Sequence, residues 1–121
     1  MIPEEFDRTV VRALAELPGE FRARLTEVAI VTAAEPSASD RRLARVGRHT
    51  ELFGLFHGVA RPDREDADPA ALPPRVVLYQ GPLERAFPPA SLEHEIRKTV
   101  LHELGHYFGL SERRLRQLGY G

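Results

Sequence analysis

Residues 91–109 read SLEHEIRKTVLHELGHYFG, and this stretch decides the fold predicted for the chain. Its apolar side chains Leu92, Ile96 and Val100 recur every four residues, which is the spacing of one face of an α-helix. Gly109 closes the stretch, and glycine is the residue type most able to adopt the left-handed conformation that ends helices. The sequence therefore predicts a long C-terminal helix that ends at Gly109.

The same helix carries two histidines at the spacing of a metal-binding pair. His102 and His106 lie four residues apart, so their Cβ atoms are roughly 5–6 Å apart on one helix face and both imidazoles can reach one ion at about 2.0–2.1 Å. Glu103 is rotated by about 100° from His102, which places its carboxylate beside such an ion. The HExxH pattern thus indicates a zinc site at the two histidines with Glu103 as general base.

A catalytic zinc site usually has three protein ligands and a water. If the chain turns back after Gly109, Glu112 comes round toward the ion, whereas a continuing helix would carry it away by about 1.5 Å per residue. The alternative is that Ser111 caps a last short helix and Glu112 only complements the helix dipole. Glu93, Glu95 or a residue of the strands stays open as a substitute third ligand.

Length and cysteine content bound the class of protein. The chain has 121 residues, the length of one ordinary domain, so residues 1–121 are predicted to form a single domain. It contains no cysteine, which excludes disulfide bonds, thiolate zinc sites, iron–sulfur clusters and a cysteine nucleophile. Any metal must therefore be held by histidine and carboxylate side chains.

The charge of the chain gives no general attraction for nucleic acid or membranes, because 17 basic and 18 acidic side chains leave a net charge of −1. The arginines of residues 41–48 could contact an anion, but no aromatic residue lies among them for base stacking. No basic stretch followed by an apolar run begins the sequence, and no 18 apolar residues occur in succession. We therefore expect no nucleic-acid or membrane partner and a cytoplasmic location, and the oligomeric state stays open.

The other predicted elements follow from apolar runs, prolines and glycines. They are a helix from Pro3 to residues 18–19, a short turn through Phe21 and Leu25, strands over 28–31, 52–59 and 75–79, loops over 34–40 and 61–74, an N-cap at Ser91 for the long helix, and a last short helix over 112–118. Helices, then strands, then helices indicate an α+β fold with a small sheet.

Five segments of the chain share a resemblance to one known family. The most specific is TVLHELGHYFGLSERRLRQLG, which starts at position 99. The weaker ones are IPEEF, LPGEFRARLTEVAIV, GLFHGV and RVVLYQGPLER. Together they resemble the small bacterial zincin-like metallopeptidases, sometimes called minimal zincins. The resemblance implies a mixed sheet of about three to four strands and a zinc ion bound by His102, His106 and Glu112, with Glu103 as catalytic base. Many members of that family have Asp at the position of Glu112.

The resemblance implies zinc-dependent hydrolysis of peptide bonds through a zinc-activated water, with Zn²⁺ as cofactor and Glu103 accepting and returning the proton. The expected partner is a peptide or protein substrate bound as an extended strand at a sheet edge, with residues 52–60 as that edge. The alternative is a non-catalytic zinc-binding or protein-interaction module on the same scaffold, because so short a chain leaves little to build substrate pockets.

Two further groups of side chains have less specific interpretations. Three tyrosines could donate a hydrogen bond to an oxyanion, and the sequence does not select among them: Tyr79, Tyr107 and Tyr120. The remaining histidines are interpreted as structural or solvent-facing: His49, His57 and His94.

Overall fold

The computed structural model describes residues 1–47, 49–58 and 73–117. Its elements, in chain order, are α1 (Pro3–Ala15), α2 (Gly19–Arg22), a short 3-10 helix (Ala23–Thr26), β1 (Ala29–Ala33), α3 (Ala38–Ala44), β2 (Gly54–His57), β3 (Arg75–Tyr79), α4 (Gln80–Ala86), α5 (Pro89–Tyr107) and α6 (Glu112–Gln117). Among these residues, no helix is both long enough and apolar enough to cross a lipid bilayer.

β3 lies in the centre of a three-stranded sheet, between β1 and β2. β1 runs parallel to it, with Ala29 opposite Arg75, and β2 runs antiparallel, with Gly54 opposite Leu78. Within the described residues, β2 therefore pairs with a strand on one side only. The small mixed sheet and the long C-terminal helix confirm the predicted α+β fold.

The two faces of β3 belong to different hydrophobic clusters, as the two-residue period of a strand requires. Val76 and Leu78 are completely buried in the main core, to which α1 and α5 contribute. Val77 and Tyr79 pack with Leu55 on the opposite face. The predicted apolar face of α5 is buried in the main core, so buried contacts set the position of the histidine helix.

The loop predicted over 34–40 is wrong for its second half, where α3 begins at residue 38. Ser37 Oγ accepts the N–H of Asp40, and the Asp40 carboxylate accepts the N–H of Ser37, both at 3.0 Å. This reciprocal capping box stabilises the start of the helix. Burial alone would raise the pKa of the Asp40 carboxyl, but its hydrogen bonds with Ser37 and the nearby Tyr79 hydroxyl together outweigh burial and hold that pKa below its usual value.

The N-cap predicted at Ser91 is also wrong, because α5 begins at Pro89 with Pro88 as its N-cap. Proline suits the first helical position, where its missing N–H has no intrahelical partner to lose. Ser91 Oγ instead donates to the carbonyl of Pro88 at 3.2 Å. The sequence does not predict α4, since Gly81 and Pro82 near its start resemble a turn.

Other boundaries differ from the predicted ones by a few residues, as is common at element ends. The first helix ends at Ala15, β1 runs one residue later than predicted at its start and continues to Ala33, and β2 is shorter than the predicted strand 52–59. Several predicted positions lie outside the described residues: Arg48 of the arginine run, Val59 and Ala60 at the end of the predicted strand and substrate edge, residues 61–72 of the second loop, and Leu118.

Candidate metal centre

The last two turns of α5 present two histidines on one face. The ring centroids of His102 and His106 are 4.8 Å apart, and the ring planes meet at 71°. Their side chains are 29% and 40% exposed, so solvent reaches both imidazoles. Val100 and Leu104, two residues away along the helix and so on its opposite side, are completely buried. Core packing therefore holds the helix while the histidines stay accessible.

α5 ends in a Schellman turn that reverses the chain. Gly109 has a φ of +75°, a conformation that glycine adopts without steric cost. The N–H of Gly109 donates to the carbonyl of His106, and the N–H of Leu110 donates to the carbonyl of Gly105, both at 2.9 Å. The predicted end of the helix at Gly109 is therefore confirmed, and the chain turns back instead of extending away from the histidines.

α6 starts directly after this turn and packs back on α5. Ser111 Oγ accepts the N–H of Arg114 at 3.1 Å, so this serine caps α6. Leu115 is completely buried, and a Cβ placed on Gly105 would overlap with its Cδ2 and lie 3.1 Å from its Cδ1. The absence of a side chain at position 105 lets Leu115 pack against α5, a role that sequence reasoning missed although a mid-helix glycine was its signal.

This packing brings the first carboxylate of α6 to the two histidines. Glu112 Oε1 lies 3.1 Å from Nε2 of His102 and 3.2 Å from Nε2 of His106. Ligand atoms about 2.0–2.1 Å from a tetrahedral zinc ion are roughly 3.3–3.4 Å from one another. The two distances from Glu112 are close to this value, and all three ligand atoms lie within 4.8 Å of one another, so rotation of the side chains could close them round one ion. Two imidazoles with a carboxylate are a donor set that suits zinc.

The three predicted ligands form the group of histidine and carboxylate side chains in the described residues that could hold a metal, although their assignment as ligands stays a prediction. The substitutes Glu93 and Glu95 are not in that group, and Glu93 instead pairs with Arg12 at 3.0 Å. A cap at Ser111 and a ligand at Glu112 are alternatives in the sequence, but the geometry is compatible with both at once.

Glu103 is nearly buried, with 9% of its surface exposed, and its Oε2 lies 3.0 Å from Nδ1 of His106. This contact leaves the other ring nitrogen of His106 facing Glu112. The hydrogen bond with Glu103, aided by the one with Glu112, raises the pKa of His106 to about 9. A metal that binds His106 must therefore displace a proton, because a protonated imidazole nitrogen has no lone pair.

The pKa of Glu112 reflects the same cluster. Burial alone would raise it, but the hydrogen bond from His106 and the positive charges of His102 and His106 outweigh burial and lower the pKa. Glu112 is thus held as a carboxylate, which is the form that binds a metal.

A groove of about 460 Å³ runs to this centre along the outer edge of β2, which is unpaired within the described part of the chain. The end of α3 contributes to its lining through Leu43 and Val46, β2 contributes Gly54–His57, and α5 contributes Glu103 and His106. The strand edge and the candidate metal centre therefore open onto one continuous space.

His57 lines this groove, which sequence reasoning missed because a lone histidine in a strand has no distinguishing signal. Its Nε2 lies 3.9 Å from Oδ1 of Asp40. Burial and the positive charge of Arg75 lower the pKa of His57, so the ring is neutral near pH 7. The structure thus places a neutral imidazole in the same space as Glu103.

The tyrosines considered for an oxyanion are less accessible. Tyr79 is completely buried, and Tyr107 is 2% exposed with its hydroxyl donating to Glu27 at 3.2 Å. Tyr120 lies outside the described residues. The interpretation of His49 and His94 as solvent-facing is confirmed, since both are exposed.

The chain is similar to a known protein family. The model of one protein family, described as zincin-like metallopeptidase, matches residues 25–121, which is most of the chain. No curated protein matches the chain.

Proposed function

Because the chain belongs to the zincin-like metallopeptidase family, we propose that it hydrolyses peptide bonds, with a zinc ion held by His102, His106 and Glu112 and with Glu103 as general base. The observation that carries the proposal is the position of Glu112 Oε1, which lies within 3.2 Å of both histidine Nε2 atoms. A carboxylate from a separate helix at that point would complete the three protein ligands that a catalytic zinc site usually has.

Zinc at this site would supply Lewis acidity, lowering the pKa of a water molecule towards about 7 and polarising a substrate carbonyl. The protein's own contribution is the placement of Glu103. Its carboxylate lines the groove beside His106 and is nearly buried, so it faces the reacting space with little competition from bulk water. Glu103 accepts a proton from the attacking water and returns it to the leaving amine.

The substrate is proposed to bind as an extended strand along the free edge of β2. Unpaired backbone N–H and C=O groups of an edge strand can hydrogen-bond a peptide, as in other cases of strand addition. The groove along β2 reaches both Glu103 and His106. A peptide in this groove would therefore cross the candidate metal centre.

His57 is proposed to hydrogen-bond the substrate carbonyl oxygen as negative charge develops on it. The argument rests on location, because His57 lines the groove that Glu103 and His106 line, whereas Tyr79 and Tyr107 are buried. A positioned donor at a developing oxyanion typically contributes about 10²–10³ in rate.

The proposal is tested by replacing Glu103 with Gln, which keeps the size and hydrogen-bonding capacity of the side chain but removes the base. Peptidase activity should fall by roughly 10²–10⁴ while about one zinc per chain is retained. Glu93→Gln is the matched control on the same helix, since Glu93 pairs with Arg12 on the surface and should leave activity unchanged.

Activity on a mixed peptide library and zinc content are measured on all three proteins. If zinc-loaded wild-type protein cleaves nothing, the catalytic proposal fails and the non-catalytic zinc-binding module is favoured. If Glu103→Gln loses zinc, Glu103 serves mainly to orient His106, with which it is in contact.

A further inference from the structure

A second cavity of about 480 Å³ opens beside the candidate centre, and nothing in the proposed chemistry requires it. His102 and Glu103 line its inner end, and Leu52, Phe53, Phe87 and Thr99 line its walls. Its volume lies within the roughly 300–1,000 Å³ typical of ligand pockets. Glu103 and Gly54 line both this cavity and the groove along β2, so the two spaces meet at the proposed general base.

Two aromatic rings form the apolar part of the cavity wall. The ring centroids of Phe53 and Phe87 lie 5.1 Å apart with planes tilted by 52°, a favourable geometry for an aromatic pair. Phe53 directly precedes β2, and its carbonyl accepts the N–H of Tyr79 at 2.9 Å. Phe87 follows α4, and its N–H donates to Leu83 at 3.1 Å. Both rings are therefore carried on hydrogen-bonded backbone.

Gly54 explains why the cavity lies so close to the histidines. A Cβ at this position would be 2.7 Å from Thr99 Cγ2 and 3.2 Å from the Val77 carbonyl oxygen, so Thr99 or β2 would have to shift to admit a larger residue. Thr99 is one turn before His102 on the same helix. The glycine thus lets the edge strand pass directly against the active helix, with the cavity between Phe53 and that helix.

The charged groups of the cavity disfavour an acidic occupant. Glu51, Glu95 and Glu103 contribute carboxylates to its lining, and Lys98 contributes one ammonium. Glu51 is already paired with Arg85 at 3.2 Å. An apolar side chain would gain contact with the two phenyl rings, whereas a carboxylate would meet an excess of like charge.

We infer that this cavity is the subsite for a large apolar or aromatic side chain next to the scissile bond. The inference rests on the proposed function and names its substrate class, which is peptides with an aromatic or large aliphatic residue at the cleavage site. A peptide extended along β2 directs alternate side chains to opposite faces. A residue that crosses Glu103 in the groove can therefore direct its side chain into the adjoining cavity.

The test compares peptides that differ only at the residue beside the cleaved bond, which is Phe, Leu, Ala or Asp. For wild-type protein, kcat/KM should be about 10–100-fold higher for Phe than for Ala, as expected from burial of an aromatic side chain. Asp should be the poorest of the four. Phe87→Leu, a volume-reducing change that retains an apolar residue, should lower the Phe-to-Ala ratio several-fold.

Val11→Ala is the control, since Val11 is 66% exposed on α1 and should leave that ratio unchanged. Dissociation constants are also measured with Phe and Ala peptides N-methylated at the scissile bond, so that the preference for Phe over Ala in binding is determined without cleavage. Cleavage without Phe preference, or a preference that Phe87→Leu leaves intact, overturns the inference while the proposed function stands.

If no peptide is cleaved but the Phe peptide binds more tightly and Phe87→Leu removes that preference, the cavity is supported and the catalytic proposal fails. If there is neither cleavage nor preferential binding, both proposals fail.

Discussion

Replacing Gly105 with Ala should weaken zinc binding while leaving the protein folded. A Cβ at position 105 would overlap with Cδ2 of Leu115 and lie 3.1 Å from its Cδ1 and Cγ, whereas carbon atoms in optimal contact are about 3.5–4.0 Å apart. Leu115 is completely buried. The overlap is therefore relieved mainly by movement of α6 away from α5 by roughly 1 Å.

The expected magnitudes differ for stability and for metal affinity. Overpacking a core contact typically costs about 1–3 kcal/mol, while Ala is favoured over Gly inside a helix by about 1 kcal/mol. The free energy of unfolding should thus fall by only about 0–2 kcal/mol. Zinc–ligand distances tolerate only about 0.2 Å, so a shift of α6 that carries Glu112 with it should lower zinc affinity by about 10–100-fold.

Zinc affinity is measured by titration against a competing chelator, and stability by urea unfolding. Gly19→Ala is the control, because nothing lies within 4 Å of a Cβ at Gly19. The double variant Gly105→Ala with Leu115→Val makes room for the added Cβ while it keeps an apolar side chain against α5, so it should recover part of the lost affinity. Unchanged affinity in Gly105→Ala, or no recovery in the double variant, would refute the argument that Gly105 places Glu112.

Five further substitutions probe the candidate centre and the fold around it. His102→Ala should reduce zinc from about one per chain to none by elemental analysis, in a protein that still unfolds cooperatively. Glu112→Ala should weaken zinc affinity strongly, whereas Ser111→Ala should cost about 1 kcal/mol of stability and leave affinity nearly unchanged. His57→Ala should lower kcat more than it changes KM in steady-state assays. Asp40→Asn should lower the free energy of unfolding by about 0.5–1 kcal/mol at pH 7. Because the folded pKa of Asp40 is lowered, the difference between this variant and wild type should shrink below about pH 4, where the wild-type carboxyl is protonated. Urea unfolding at several pH values measures this difference.

The features that the sequence predicts well depend on local geometry. The spacing of His102 and His106 places both on one face because the helix repeat is the same in any context. Gly109 ends that helix through a turn whose hydrogen bonds span only the six residues 105–110. The position of Glu112 follows from the same turn, so the reversal of the chain could be argued from residues 102–112 alone.

The features that the sequence misses depend on contacts between distant residues. Phe53 and Phe87 are 34 positions apart, and only the sheet and α4 bring their rings together. His57 reaches the groove because β2 is an edge strand, and the strand order cannot be deduced from three short apolar runs. The start of α3 is a different case. Ser37 and Asp40 have the spacing of a capping box, which indicates a helix start, whereas the neighbouring Pro36 and serines favour the loop that was predicted there.

In the proposed zinc site, metal affinity would be coupled to the packing of α6 on α5. The reversal at Gly109 places Leu115 against Gly105 and Glu112 against the histidines within one short segment. α6 is only six residues long, so it could not form a stable helix alone. Leu115 is the buried side chain among the described residues of α6, so the position of the third proposed ligand depends on the contact of Leu115 with α5.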